Sequence, residues 1–269
     1  MGGEAGAPVS VKRARCDFVA SDCWATQPQT LIDALDDGCL LKIFAFLSPM
    51  PDRFAATRVC KRWHGLASDP RMWLRVGPQL QPSENDLAVF GTLDAAVAAA
   101  RPGDTIEIAP GQKHRASNLR ISKPLCLVGG GRSQDDTVLS CTRGSDSALI
   151  FHANSRLANL TVRAELGSCL LHKGGRLTIE NCALQCLAHP LEHLSCPLVS
   201  TADAPLASVG GPSSEVSVAK TRIEGGQRAV QCSGTLTLQQ VRVMAMKATL
   251  LFWFTVAARR LDSISAPAS

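Results

Sequence analysis

The stretch LANLTVRAELGSCLLHKGGRLTIENCALQC, Leu157 to Cys186, writes one apolar figure twice. Leu157, Leu160 and Val162 return 22 residues later as Ile179, Cys182 and Leu184, at offsets 0, +3 and +5. A shorter apolar run opens at Leu170 between them, and Gly174-Gly175 punctuates the join. Runs this short, bounded by Gly and Asn, read as strands rather than helices.

The figure continues outward. Val218, Thr221 and Ile223 form a third row, and Leu238, Val241 and Val243 a fourth, so the row spacings are 22, 39 and 20 residues. Leu149, Leu170 and Val230 each open a short apolar strand eight or nine residues before a row. The wide gap holds the Pro- and Ser-rich stretch AHPLEHLSCPLVSTADAPLASVGGPSS, Ala188 to Ser214, read as one coil lengthened by a loop. A strand-rich period near 20–22 predicts a solenoid of stacked β coils, aliphatic on aliphatic. Such a stack needs a lid. Thr92 is placed to cap a helix whose Leu93, Ala96, Val97 and Ala100 share one apolar side.

Ahead of this region the pattern changes. Leu40, Ile43, Phe44 and Leu47 fall at i, i+3, i+4 and i+7, with Asp36 or Asp37 as cap and Pro49 and Pro51 as stop. Asp52 offers a cap for a second helix carrying Val59, Trp63 and Leu66, and Asp69-Pro70 opens a last short turn with Met72 and Trp73. Three short helices in about 45 residues make a marginal unit that needs a staple, a metal or a partner. No staple or metal pattern is present, so a partner is expected.

Composition narrows the class. The chain has 269 residues, 45% hydrophobic and 19% charged, with no Tyr, which predicts a globular, mostly aliphatic core. A net charge of +5 is too mild for a nucleic-acid binder, and no apolar run reaches membrane-spanning length. The N-terminus lacks a secretory apolar region, so the expected location is cytoplasm and/or nucleus, and the 11 cysteines read as reduced thiols.

Two resemblances rest on these residues. LDDGCLLKIFAFLSPMPDRFAATRVCKRWHGLASDPRMWLRV resembles an F-box, keeping Leu35, Ile43-Phe44, Leu47, Asp52, the run Val59 to Trp63, Pro70 and Trp73. Asp36 and Gly38 stand where many F-boxes carry Pro and an acidic residue. GTLDAAVAAARPGDTIEIAPG followed by KPLCLVGGG resembles the opening coils of right-handed, single-stranded parallel β-helices of the pectin-lyase-like kind. The pairing is similar to a family of plant F-box proteins. The resemblance implies an α+β multidomain chain: a flexible arm (1–30), a three-helix F-box (31–76), a linker (77–87), a β-helix with a capping helix (88–256) and a disordered tail (257–269). It also implies a non-catalytic substrate receptor of an SCF-type ubiquitin ligase. Such a receptor binds a Skp-type adaptor, and through it cullin and RING subunits, and presents a protein substrate. Leu35, Leu40, Ile43, Phe44, Leu47, Pro49, Val59, Cys60 and Trp63 are the candidate adaptor-binding residues. Spacing alone does not separate those that face inward from those that face the adaptor.

An enzyme acting on carbohydrate, or a carbohydrate binder, is the alternative for a β-helix. Glycoside chemistry needs paired carboxylates. Here no two acids recur at matching positions of adjacent rows, and Asp135-Asp136 reads as a solvated turn. Cys182, Cys186, His189, His193 and Cys196 could suggest zinc, but Cys182 falls at an inward row position and Pro190 divides the histidines. Gly129-Gly130-Gly131 lacks the residues of a phosphate cradle and reads as a corner. No cofactor is expected.

Overall fold

A computed structural model describes residues 32, 34–77, 89–187, 196–201, 215–226, 229–232, 235–244, 252–254 and 261–265. The helical segment comes first: α1 (Asp37–Phe46), an irregular turn (Pro49–Arg53), α2 (Phe54–Ala56), α3 (Lys61–Ala67) and a 3-10 turn (Pro70–Met72). Asp36 caps α1 and Asp69 caps the final turn, as the spacing predicts. The long second helix does not form. The chain breaks at Thr57–Val59 and restarts at α3, whose cap is Cys60 in extended backbone rather than Asp52. Val59 therefore lies in a turn and shares no helical face with Trp63.

Next come β1 (Leu74–Val76), β2 (Val89–Phe90) and α4 (Leu93–Ala99), capped by Thr92, whose hydroxyl accepts the Ala95 N–H at 3.3 Å. Leu93, Ala96, Val97 and Ala100 are buried. Lys123 donates to the carbonyls of Ala98 and Ala100, pinning the end of this lid where helix carbonyls lack partners.

The remaining strands form coils of three. They are β3 (Thr105–Ile108), β4 (Lys113–Arg115), β5 (Leu119–Ile121); β6 (Leu125–Gly129), β7 (Val138–Ser140), β8 (Ser147–Phe151); and β9 (Ser155–Ala158), β10 (Thr161–Ala164), β11 (Ser168–His172). Then follow β12 (Arg176–Glu180), β13 (Ala183–Cys186), β14 (Val199–Thr201); β15 (Glu215–Ala219), β16 (Arg222–Glu224), β17 (Val230–Cys232); and β18 (Thr235–Met244) with β19 (Phe252–Phe254). Within the tail expected to be disordered (257–269), β20 (Leu261–Ser265) instead forms a strand paired beside β18. Every ladder is parallel, and β18 bends through two faces, pairing with β15 at one end and β16 at the other. This is a parallel β-helix.

The register is the one the rows predict. Leu157, Ile179, Val218 and Leu238 stack in line, as do Val162, Leu184, Ile223 and Val243. All are buried. The offsets have a backbone cause. In a straight strand positions 0, +2 and +4 share a face. Here the +2 residues, Asn159, Asn181, Lys220 and Gln240, have φ between 49° and 55°, so each turns a corner and brings +3 and +5 inward. Asn is favoured among non-glycine residues in this conformation. Asn181 donates to Asn159, and Asn159 donates to the carbonyls of Gly129 and Gly131, so the corners are stitched to one another.

The wide gap is more than a loop. Val199 in β14 pairs with Leu170 and Val230, supplying the short-strand member that spacing did not reveal. Two cores result. One runs through the coils from Val76 to Val243; the other holds Leu40, Phe44, Ala56, Leu66, Ala67 and Met72. They meet where β1 leaves the helical segment and pairs with β3.

Candidate functional site

The helical segment is built around Phe44. Its ring meets Trp63 edge-on at 5.1 Å between centroids, above Leu40, Leu66 and Met72. Asp36 fixes the start of α1 by accepting the Cys39 N–H at 2.7 Å. That bond favours the charged carboxylate and holds its pKa below the ordinary value. Arg62 on α3 bonds Asp37 at 2.9 Å and the Leu35 carbonyl, tying α3 to the first turn of α1. Where many F-boxes carry Pro, Asp36 thus supplies a cap.

The nine predicted residues now separate. Leu40, Phe44 and Pro49 are buried. Leu35, Leu47 and Trp63 are partly buried against that core. Ile43, Val59 and Cys60 are exposed, and Cys60 Sγ also accepts the Trp63 N–H at 3.5 Å as the α3 cap.

Sequence reasoning missed the largest outward groups. Phe46 is 87% exposed and Phe54 54%, and Met50 is also exposed. Ile43 and Phe46 are i, i+3 neighbours, so α1 carries an exposed apolar strip along the flank of its Leu40–Phe44 core side. The signal was present: Leu40, Leu41, Ile43, Phe44, Phe46 and Leu47 spread over more than half of the helix circumference, wider than the stripe one small core covers.

Elsewhere the structure tests the chemistry. Asp135-Asp136 is a solvent-exposed turn, as read from the sequence, and both carboxylates have partners. Asp136 closes a capping box with Ser133, and Asp135 accepts from Arg222 at 2.7 Å, 87 positions away, and from Thr161. Arg222 also meets Glu224 at 3.1 Å. Both carboxylates are thus engaged by one guanidinium, an arrangement suited to holding the turn across the coils. Cys182 lies in the interior and its thiol points to the carbonyls of Leu157 and Glu180; desolvation pushes its pKa up to about 12. Burial pushes the Cys169 thiol up as well. Cys196 is exposed and lines a cavity of about 290 Å³ with Cys141 and Glu165, while His189 and His193 lie outside the described residues. Among the described residues no three His, Cys, Asp or Glu side chains are placed to hold a metal, and no helix is long and apolar enough to cross a membrane.

The helical unit thus has a filled core with exposed apolar groups beside it, and it is joined to a parallel β-helix. Residues 37–78 match the F-box-like family model. Over 240 residues the chain is 52% identical to F-box protein SKIP5 of Arabidopsis thaliana, a match spanning 84% of this chain and 87% of that relative, and the chain belongs to this F-box protein family. Among solved structures it is similar to Escherichia coli YbhC, with a TM-score of 0.49 and 12% identity over 65% of this chain and 56% of that one. A pectin methylesterase mutant in complex with a hexasaccharide gives 0.47 and 16%, over 64% and 55%. The chain spans little more than half the length of these two structures.

Proposed function

We propose that this protein is a substrate receptor of an SCF-type cullin-RING ubiquitin ligase. Its F-box docks on a Skp-type adaptor, which links it to the cullin and RING subunits, and its β-helix presents a protein substrate. The chain itself performs no catalysis, and it works in the cytoplasm or nucleus. The observation that carries this reading is the apolar excess of α1: Leu40 and Phe44 already fill the core, yet Ile43 and Phe46 beside them stand open to solvent. Exposed aromatic and aliphatic groups around a filled core are the anatomy of a hot-spot interface. Of the nine predicted residues, Ile43, Val59 and Cys60 take contact roles, Leu35, Leu47 and Trp63 border the interface, and Leu40, Phe44 and Pro49 support it from beneath. Phe46, Met50 and Phe54 join the contact set.

The test is co-expression with a Skp-type adaptor and size-exclusion chromatography. The unaltered chain is expected to elute as a 1:1 complex. Ile43→Asp combined with Phe46→Asp, both outside the core, is expected to abolish it while the free chain stays folded. A complex indifferent to this double change overturns the assignment.

A further inference from the structure

The F-box rests on the β-helix through a charge that sits almost out of water. Arg53, at the end of the irregular turn, donates from Nη2 to Asp104 Oδ1 at 3.3 Å, and its Nη1 lies 3.5 Å from Met72 Sδ. The two side chains keep only 9% and 4% of their surface open. Asp104 belongs to the turn that opens β3, where its second oxygen accepts the Arg101 N–H at 2.7 Å. Beside it Gly103 has φ +91°, and a Cβ there would lie 2.7 Å from Met50 Cγ. The same turn therefore meets the coil at both ends. Met50 and Phe54, which flank Arg53 in this segment, are apolar groups left open to solvent.

We propose that Asp104 is a positioning residue for the adaptor surface: through Arg53 it holds the Met50–Phe54 turn in its docking arrangement, making the first coil of the β-helix a working part of the adaptor-binding module. This rests on the adaptor reading above. The turn needs such a hold. Met50 has extended backbone (φ −132°, ψ 133°) between helical neighbours, so the segment lacks a continuous helical ladder to fix it. A buried ion pair contributes little net stability but selects one arrangement: Arg53 without Asp104 is an uncompensated charge that must reach water, whereas Asp104 without Arg53 keeps the Arg101 guanidinium at 3.9 Å. If Asp104 is neutralised, Arg53 gains by swinging outward, and the turn that carries Met50 and Phe54 moves with it. When the competent arrangement falls to a tenth of the population, apparent affinity falls about tenfold.

The experiment uses the full chain with the purified Skp-type adaptor and calorimetric titration. The variants are Arg53→Met, Asp104→Asn and the two together, and amide hydrogen exchange is followed over 49–54 and over the coils. Asp104→Asn keeps an acceptor for Arg101 and the same volume, so it carries the test if Arg53→Met does not fold. Each single change is expected to weaken binding about tenfold. The pair together should weaken it no more than the worse single, and exchange should rise over 49–54 but not in β6, β9 or β12. A merely structural role would loosen the coils or leave affinity untouched. Adaptor binding by Asp104→Asn at unaltered affinity overturns this inference alone. Failure of the unaltered chain to bind overturns the adaptor reading, and this inference with it.

Discussion

Phe44 and Phe46 are two residues apart on one short helix and do opposite work. Phe44 is 2% exposed and packs on Trp63; Phe46 is 87% exposed. Phe44→Ala removes a buried ring from a core of six side chains and is expected to cost about 3–5 kcal/mol of local stability. Phe46→Ala removes a ring that water already covers, and is expected to change stability by less than about 0.5 kcal/mol. On binding the order reverses. Covering roughly 150 Å² of ring at about 25 cal/mol per Å² gives an upper bound near 4 kcal/mol, and truncated interface aromatics typically cost about 2–3 kcal/mol. That corresponds to a loss of roughly 30- to 150-fold in adaptor affinity. Two assays separate the pair: amide hydrogen exchange over 37–67 reads local stability, and titration with the adaptor reads affinity. Phe44→Ala should lose protection, with binding falling as a consequence. Phe46→Ala should keep protection and lose binding. Equal loss of protection in both variants, or full affinity in Phe46→Ala, refutes the division of the helix into a core side and a contact side.

Two further outcomes follow from the coils. His172 is buried and inward-facing in line with Phe151 and Thr201, and desolvation holds its pKa below the ordinary 6.5. The unfolded chain therefore takes up a proton that the folded interior resists, so stability present above pH 6.5 should fall as pH drops below it. Urea midpoints at successive pH values should show this acid limb, and His172→Gln should flatten it; an unchanged limb in the variant removes His172 as its cause. Asn159→Ala loses two bonds to the carbonyls of Gly129 and Gly131, at 3.0 and 2.7 Å, and forces Ala into φ 55°. It is expected to cost about 2 kcal/mol or more by urea titration, and a variant as stable as the parent would show that the corner is not held by this side chain.

The coils were legible because their interior is linear. Each row residue stacks on its equivalent one coil away, so a single repeated offset encodes both register and burial. Thr221 shows how far that holds: a polar side chain at a +3 position is buried all the same, its hydroxyl returned to the Ala219 carbonyl. Val199 escaped because its coil is stretched on both sides, and a period is invisible where the spacing changes. The break before α3 escaped for a different reason. Val59, Trp63 and Leu66 keep helical spacing although Cys60 in extended backbone interrupts them, and spacing records sequence separation, not continuity. The Asp135–Arg222 and Arg53–Asp104 contacts join residues 87 and 51 positions apart, with no local pattern to announce them.

The helical segment, for which a partner was expected, is held in part by its own chain. A unit of some 45 residues cannot bury enough surface to stand alone, which made an outside partner the economical expectation. The structure divides the task. The inner end is anchored by β1, which runs without interruption from the last helical turn into the sheet of the β-helix, and by Arg53 beside it. The outer side keeps Ile43, Phe46 and Phe54 in water. Anchoring of this kind separates folding from assembly: stability comes from the coils, so the contact side is free to be apolar without being needed to hold the bundle together. A contact side built that way can bind and release a partner while the segment behind it stays folded.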